Sequence, residues 1–296
     1  MQTRDLDYFI AVAKNLSFTG AAKQFQVTQP TITLAIKRLE SQFDTPLFLR
    51  DKKQNSIQLS TAGSQLLVHA NRIKQDIAEA QREIDNLKKE VIPLGLPPII
   101  ATYFFPKYVP KLIQKNLLEQ INPITIGSDK LLDELVSGTI NIALIAHAPA
   151  ITQSNRWGEI GQKILLAKHS FSIIDNVQQP LISKTGPLLP EEFLNLPLIA
   201  LDDNFIHATV MNYLFEQGDF NKKIIFRTSE IQSLKKMVEA GAGIGLLTDL
   251  AIDNDDPLIQ HSILFDAPLS FNVYLAYRSS HILSPIEKKI VSIFVN

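Results

Sequence analysis

Within Ser17–Glu40, SFTGAAKQFQVTQPTITLAIKRLE, two short amphipathic segments separated by a brief break constrain this chain more than any other stretch. The first carries Ala21, Ala22 and Phe25 on one face and follows Ser17, whose hydroxyl suits an N-cap. Gln26-Val27 interrupts it. Thr28 can then cap a second helix, with Pro30 in a first turn where a backbone donor is spare. Two helices joined in this way form a helix-turn-helix, and the second is the reading helix. At ~100° per residue, Ile32, Ile36, Leu39 and Phe43 fall on one core stripe. The opposite side carries Pro30, Thr33, Leu34, Lys37, Arg38 and Ser41, with Gln29 toward the N-terminal end. Such amides, hydroxyls and cations hydrogen-bond base edges and phosphates. Spacing alone leaves an ordinary helical hairpin with a solvated face equally open.

The flanks narrow the choice. Leu6, Phe9, Ile10 and Ala13 recur at helical spacing, which predicts a helix packed beneath the other two. After Glu40, Pro46 forbids simple continuation. The apolar Leu47-Phe48-Leu49, the polar Asp51–Asn55 and the alternating Ile57-Gln58-Leu59 then read as strand, turn and strand. That pattern is a wing, and Arg50, Lys52 and Lys53 would meet the phosphate backbone or minor groove. A solvated hairpin tip is the plainer alternative for the two lysines.

Ser60 suits the N-cap of a long helix. Leu66, Ala70, Ile73, Ile77, Ala80, Ile84 and Leu87 step by four and three without a break, a heptad seam on a helix of about 29 residues, ~43 Å long. A coiled-coil partner wants a seam this narrow, whereas a helix lying on its own domain's core prefers a wider stripe. Pairing here would set two winged heads on an approximately palindromic site.

Pro93 and Pro97-Pro98 end the helical pattern near Glu90. Beyond them apolar strands alternate with amphipathic helices, the mark of α/β units. Strands are predicted at 91–96, 124–126, 140–145, 169–174, 197–201, 223–228, 243–247 and 271–277. Helices are predicted at 105–116, 128–137, 191–194, 208–217, 231–240 and 284–294. The organisation is therefore a head at 1–60, a linker helix at 61–90 and an α/β body at 91–296. Charge follows that division: the formal net charge is −1, with a small basic excess in the head and an acidic excess in the body.

The residues carry a resemblance as well. Asp5-Leu6-Asp7-Tyr8-Phe9-Ile10-Ala11-Val12-Ala13, Ser17-Phe18-Thr19 with Ala21-Ala22, Thr28-Gln29-Pro30 with Ile32-Thr33, Ile36 with Leu39-Glu40, Leu47-Phe48 with Arg50, and Leu59-Ser60 with Ala62-Gly63 resemble the LysR-type transcriptional regulators. The body is similar too, through Ile99-Ile100-Ala101 with Tyr103-Phe104-Phe105-Pro106, Gly127-Ser128 with Leu131, Gly138 with Ile140-Asn141-Ile142-Ala143-Leu144, Gly241 with Gly243-Ile244-Gly245-Leu246-Leu247, and Val273-Tyr274-Leu275 with Tyr277-Arg278.

The resemblance implies an α/β chain overall: a winged helix-turn-helix, a long linker helix and a two-lobed effector domain of type 2 periplasmic-binding-protein architecture. One lobe would span 91–164 and 268–296, and the other 165–267. Gln29 and Thr33, with Thr31 or Leu34, would read bases, and Leu34 would meet a thymine methyl. Lys37, Arg38 and Arg50 would hold phosphates, and Ser17, Thr19, Thr28 and Pro30 complete the DNA-facing set. The expected cleft residues are Pro98, Ile99, Ile100, Thr102, Ser128, Asp129, Asn204, Phe205, Thr228 and Ser229. Many family members bind a small carboxylate there with a first-turn serine or threonine. This chain has prolines and Ile99 instead, with Thr102 the nearest hydroxyl, which tilts the pocket toward apolar contact. Ser128 and Ser229 serve equally well as plain helix caps, and His207 is expected on the surface.

The partners implied are double-stranded DNA, a small-molecule effector and a second copy of the chain, with a dimer of dimers as the family's usual assembly. RNA polymerase is a further candidate partner. No cofactor, metal or catalytic residue is expected. The chain has no cysteine, which removes disulfide and thiolate chemistry. Gly241-Ala242-Gly243-Ile244-Gly245 has Leu246 where a dinucleotide fingerprint wants a third small residue, and it follows a helix rather than a strand. The start MQTRDLDYFI has no apolar run suited to a secretory signal, and no stretch approaches ~20 apolar residues, so a soluble cytoplasmic protein is expected. A solute-binding protein of a transport system would explain the body but would leave the first ninety or so residues unaccounted for.

Overall fold

Apolar stripes on three helices close over one another at the head of the chain. A computed structural model describes residues 2–51, 56–87, 91–149, 151, 155–218, 223–265, 269–278 and 282–295, divided between two units, Met1–Asp85 and Asn86–Asn296. In the first, α1 (Thr3–Asn15), α2 (Phe18–Gln24) and α3 (Gln29–Phe43) bury Leu6, Phe9, Val12, Phe18, Ala21, Ile32, Ala35, Ile36 and Leu39 together. Each Leu, Ile, Val or Phe side chain among them that is removed from water contributes about 1.5–3 kcal/mol. Ser17 caps α2 as expected, its hydroxyl accepting the Gly20 N–H at 3.0 Å.

Two expectations for α3 are corrected. Thr28 makes no side-chain cap; its hydroxyl pairs instead with that of Thr31 at 2.9 Å, so one hydroxyl satisfies the other. Phe43 is 44% exposed although its angle places it on the core stripe. It is the last residue of α3, ahead of Asp44 at φ 46°, and the buried stripe stops one turn earlier at Leu39.

The hairpin β1 (Phe48–Asp51) and β2 (Ser56–Leu59) is antiparallel, pairing Phe48 with Leu59 and Arg50 with Ile57. α4 (Thr61–Leu87) follows, capped by Ser60, whose Oγ accepts the Gly63 N–H at 2.9 Å. Gly63 passes so close to β1 that a Cβ there would lie 2.1 Å from the Leu47 carbonyl oxygen, so only glycine lets α4 approach. Lys74 on α4 also pairs with Asp7 on α1 at 2.6 Å.

The second unit holds one mixed sheet shared by two lobes. In the first lobe, β3 (Ile92–Gly95) lies parallel to β4 (Ile121–Ile124) and to β5 (Ile142–His147), and β5 lies antiparallel to β11 (Ser270–Tyr277). In the second, β7 (Leu198–Leu201) lies parallel to β8 (Ile224–Thr228) and β9 (Ile244–Thr248). The fifteen-residue β6 (Gln162–Asn176) belongs to both. Gln162 to Ser170 pair with β11, and the remainder pairs with β9 and with β10 (Leu258–Ser262). β6 therefore changes partners within one strand near residue 171, because β11 holds it up to Ser170.

Helices α5 (Val109–Gln114), α6 (Ser128–Val136), α7 (Asn155–Glu159), α8 (Pro190–Phe193), α9 (Ile206–Glu216), α10 (Ile231–Glu239) and α11 (Pro285–Val295) complete the unit. The single helix expected at 105–116 is instead a wide turn at Ile100–Phe104, a 3₁₀ turn at Phe105–Tyr108 and then α5. Pro106 and Pro110 deny the backbone donors that one continuous helix would need. β4 also lies three residues ahead of its expected place, and β10 and α7 had no expectation.

Candidate functional site

Two surfaces gather the expected site residues. On the first unit, α3 turns Gln29, Pro30, Lys37 and Arg38 to solvent, with Leu34 57% exposed and Thr31 and Thr33 half-buried. Thr33 donates its hydroxyl to the Gln29 carbonyl at 3.1 Å, which fixes its rotamer and leaves its methyl and lone pairs outward. Thr19 is exposed on α2, while the Ser17 hydroxyl is spent on capping.

Arg38 has a partner within the first unit. Its guanidinium forms an ion pair with the buried Asp5 carboxylate, with Nε at 3.4 Å from Oδ2, and the Gln2 N–H donates to the same carboxylate at 3.2 Å. Burial pushes the Asp5 carboxyl up, but the Arg38 hydrogen bond, the Gln2 N–H and nearby positive charge outweigh it and hold it below the usual range. Arg38 is thus the internal counter-ion of α1 before it is anything else, since an unpaired buried carboxylate is costly. Arg50 lies on β1, but its side chain, Lys52 and Lys53 fall outside the described residues.

The heptad seam divides. Ala70 is fully buried in the first unit's own core, and Leu66 and Ile73 pack against that core. For these three the helix-on-its-own-domain alternative is the observed one, because the hairpin and α1 need a cover. Farther along, Ile77 is 43% and Ile84 53% exposed, and Ala80 is exposed. The Leu87 side chain lies outside the described residues.

In the second unit, the N-terminal ends of α6 and α9, one from each lobe, meet at a narrow cleft. One narrow crevice is lined by Gly127, Ser128, Asp129, Lys130, Asp203, Asn204, Phe205 and Ile206. An adjoining one continues past Pro97, Pro98, Ile99, Ala146, His207 and Phe271. The lobes touch here: a Cβ on Gly127 would lie 2.6 Å from the Asn204 carbonyl oxygen, and Lys130 Nζ donates to Asn204 Oδ1 at 3.0 Å.

Ser128 is corrected from cap to brace. Gly127 occupies the cap position, and the buried Ser128 Oγ accepts the Ala146 N–H at 3.1 Å, tying α6 to β5. Ile100, Thr102, Thr228 and Ser229 line neither crevice; Thr102 and Ser229 face solvent, and the Thr228 hydroxyl accepts the Glu230 N–H at 3.1 Å.

His207, expected on the surface, is 2% exposed. Phe171, Phe205 and Phe271 surround its ring with centroids 5.2, 6.3 and 5.9 Å away. Its Nε2 accepts the Thr248 N–H at 3.1 Å, and burial pushes its pKa down to about 3. The signal for burial was present in the sequence: His207 begins the run HATVMNYLF, apolar nearly all round, and such helices lie inside a protein. Ala146 and Phe271 gave no comparable signal, because the strands that carry them meet only in three dimensions. Among the described residues no cluster of acidic and histidine side chains is arranged to hold a metal, and no helix is long and apolar enough to cross a membrane.

Comparison with known proteins matches residues 3–64 to the family described as "Bacterial regulatory helix-turn-helix protein, lysR family", and residues 86–295 to "LysR substrate binding domain". The malolactic fermentation system transcriptional activator of Lactococcus lactis is 29% identical over 294 residues, covering 99% of this chain and 98% of that protein. Full-length OxyR of Pseudomonas aeruginosa is similar in structure, with TM-score 0.52 and 21% identity over 100% of this chain and 99% of that one. Full-length CbnR complexed with its target DNA gives TM-score 0.52 at 17% identity, covering 100% and 99%.

Proposed function

We propose how this chain works from one premise: it belongs to the LysR-type family of transcriptional regulators, with a helix-turn-helix DNA-binding domain followed by an effector-binding domain. In this reading residues 1–60 bind DNA, 61–90 pair two copies and 91–296 sense a small molecule. α3 enters the major groove. Gln29 makes a bidentate pair with adenine, Thr33 contacts a neighbouring base edge and Leu34 covers a thymine methyl. Lys37 and the wing cations neutralise phosphates, so affinity falls with salt.

The observation that carries this is the division of α3 itself. Ile32, Ala35, Ile36 and Leu39 are buried, so Gln29, Leu34 and Lys37 are left outward together. In a binding-site selection, Gln29→Ala is expected to relax preference at one position per half-site, by ~1–3 kcal/mol of discrimination. An unchanged selected sequence would sink the assignment.

The exposed Ile77, Ala80 and Ile84 support a dimer seam that begins where the head's own core ends. Two heads then read an approximately palindromic operator, and pairs of dimers and contact with RNA polymerase extend the same scheme. Ile77→Lys places a charge in that seam and is expected to give monomers by sedimentation, with the head still folded; an intact dimer refutes the seam.

An effector in the interlobe cleft shifts the balance between lobe arrangements, and so the spacing of heads on DNA. The relative's name suggests malate and lactate as first candidates in a thermal-shift panel. Peroxide sensing through a thiol is not available to a chain without cysteine. A solute-binding role in transport is disfavoured by the helix-turn-helix match over residues 3–64.

A further inference from the structure

We propose that His207 is the specificity-determining donor of the cleft, and that the effector is a compact, largely apolar molecule whose carbonyl or carboxylate oxygen accepts from His207 Nδ1–H. The proposal rests on the cleft being the effector site and adds the chemistry of what it recognises.

The tautomer is set by the hydrogen bonding. A backbone N–H can donate only to an unprotonated ring nitrogen, so the Thr248 N–H at 3.1 Å fixes Nε2 as acceptor. The proton of the neutral ring is then on Nδ1. Burial keeps the ring neutral at working pH, its pKa lying at about 3. Nδ1 is buried and has no hydrogen-bond partner, although an unmet buried donor costs about 1–3 kcal/mol. His207 also lines the crevice where α6, nine residues long, begins.

Most of the crevice lining is apolar or already engaged. Pro98, Ile99, Ala146, Ile206 and Phe271 supply hydrocarbon. Ser128 accepts from Ala146, and Lys130 is held by Asn204 at the mouth. One neutral donor in such walls selects for one acceptor oxygen on a small hydrocarbon body. Close approach of the lobes at Gly127 keeps that body to a few heavy atoms unless they part.

Two substitutions separate the two ring nitrogens. His207→Gln places an amide oxygen where Nε2 stood and keeps an acceptor for the Thr248 N–H, but it removes the donor at the Nδ1 position. His207→Asn does the converse. The test titrates full-length protein, labelled with [15N]histidine, with isobutyramide as a carbonyl probe and isobutyrate as a carboxylate probe. In the wild-type chain the His207 Nδ1–H resonance is expected to shift on saturation by at least one probe. His207→Gln should melt as the wild type does yet bind that probe ~10-fold or more weakly. His207→Asn should melt earlier yet hold wild-type affinity.

The two probes separate the two oxygen sources. At neutral pH, where the ring is uncharged, tighter binding of isobutyramide marks a carbonyl acceptor and tighter binding of isobutyrate marks a carboxylate. Equal affinity in wild type and His207→Gln overturns the inference and leaves the cleft a ligand site. Failure of both probes to bind the wild-type chain overturns the acceptor class, and the metabolite panel then decides the cleft reading on its own.

Discussion

Helices α3 and α9 each carry one of the two proposed binding surfaces at their first turn, and they do so with opposite chemistry. α3 turns Gln29, Pro30, Leu34 and Lys37 outward and keeps Ile32, Ala35, Ile36 and Leu39 behind them. α9 and the residue before it bury Phe205 and His207 among aromatic rings. The contrast reflects the partner each serves. Base edges and phosphates lie on a broad, hydrated polymer that is met by projecting side chains, whereas a small molecule is held by enclosure. On α3 the recognition face and the core face are therefore separate. On α9 one residue, His207, belongs to both, accepting from Thr248 with one nitrogen and, in the inference above, offering the other to the effector. Substitutions can divide binding from stability on α3; on α9 they must be chosen nitrogen by nitrogen.

The strongest way to break this comparison is to attack the inner faces alone. Leu39 on α3 and Leu214 on α9 are both fully buried. Leu39→Ala and Leu214→Ala should each cost about 2–5 kcal/mol of the stability of their own unit. The chain's one tryptophan, Trp157, lies in the second unit, so its fluorescence follows that unit in urea while far-UV circular dichroism also follows the first. Leu214→Ala should move the Trp157 transition to lower urea, and Leu39→Ala should leave it in place. A shift of the Trp157 transition by Leu39→Ala would mean that the two units unfold as one.

The same contrast explains what could be read from the residues alone. The outward face of α3 was legible because an apolar stripe every three or four residues fixes a helix, and whatever polar groups remain must face away. Phe43 misled because angle says nothing of where a core ends along the axis. The seam on α4 misled in its first third for a related reason. Leu66, Ala70 and Ile73 have coiled-coil spacing, but they serve the core of their own unit. The cleft was legible only in part. Asn204 and Phe205 stood in a turn entering a helix and could be placed, whereas Ala146 and Phe271 reach the same crevice from strands far apart in sequence. The burial of His207 was legible from the apolar run that it begins, but its partner, the Thr248 backbone N–H, has no signature in side-chain types. The ion pair of Arg38 could not be foreseen because its partner Asp5 lies on a different helix.

A smaller effect sharpens the comparison through pH. A free histidine titrates near 6.5, and in the folded chain His207 does so at about 3. Below pH ~6.5 the unfolded chain takes up a proton that the folded chain refuses, so stability rises with pH across this window and is lost as pH falls through it. Between neutral pH and pH 5 the second unit should lose ~2 kcal/mol from this residue alone. The first unit behaves differently. The Asp5 carboxyl is held below its ordinary range, so the stability that it and Arg38 provide is present above that range and is lost only as pH falls through the depressed value. Mild acid should therefore loosen the cleft while leaving the reading helix anchored to α1. Urea titrations followed by Trp157 at pH 7 and pH 5 measure this, and His207→Gln isolates it, because the variant lacks the titrating ring but keeps an acceptor for Thr248. The wild-type chain should lose ~2 kcal/mol more than the variant over that interval. An equal loss in both chains would show that the ring titrates in the folded protein as a solvated histidine does, and the opposition between the two helices would then fail at α9.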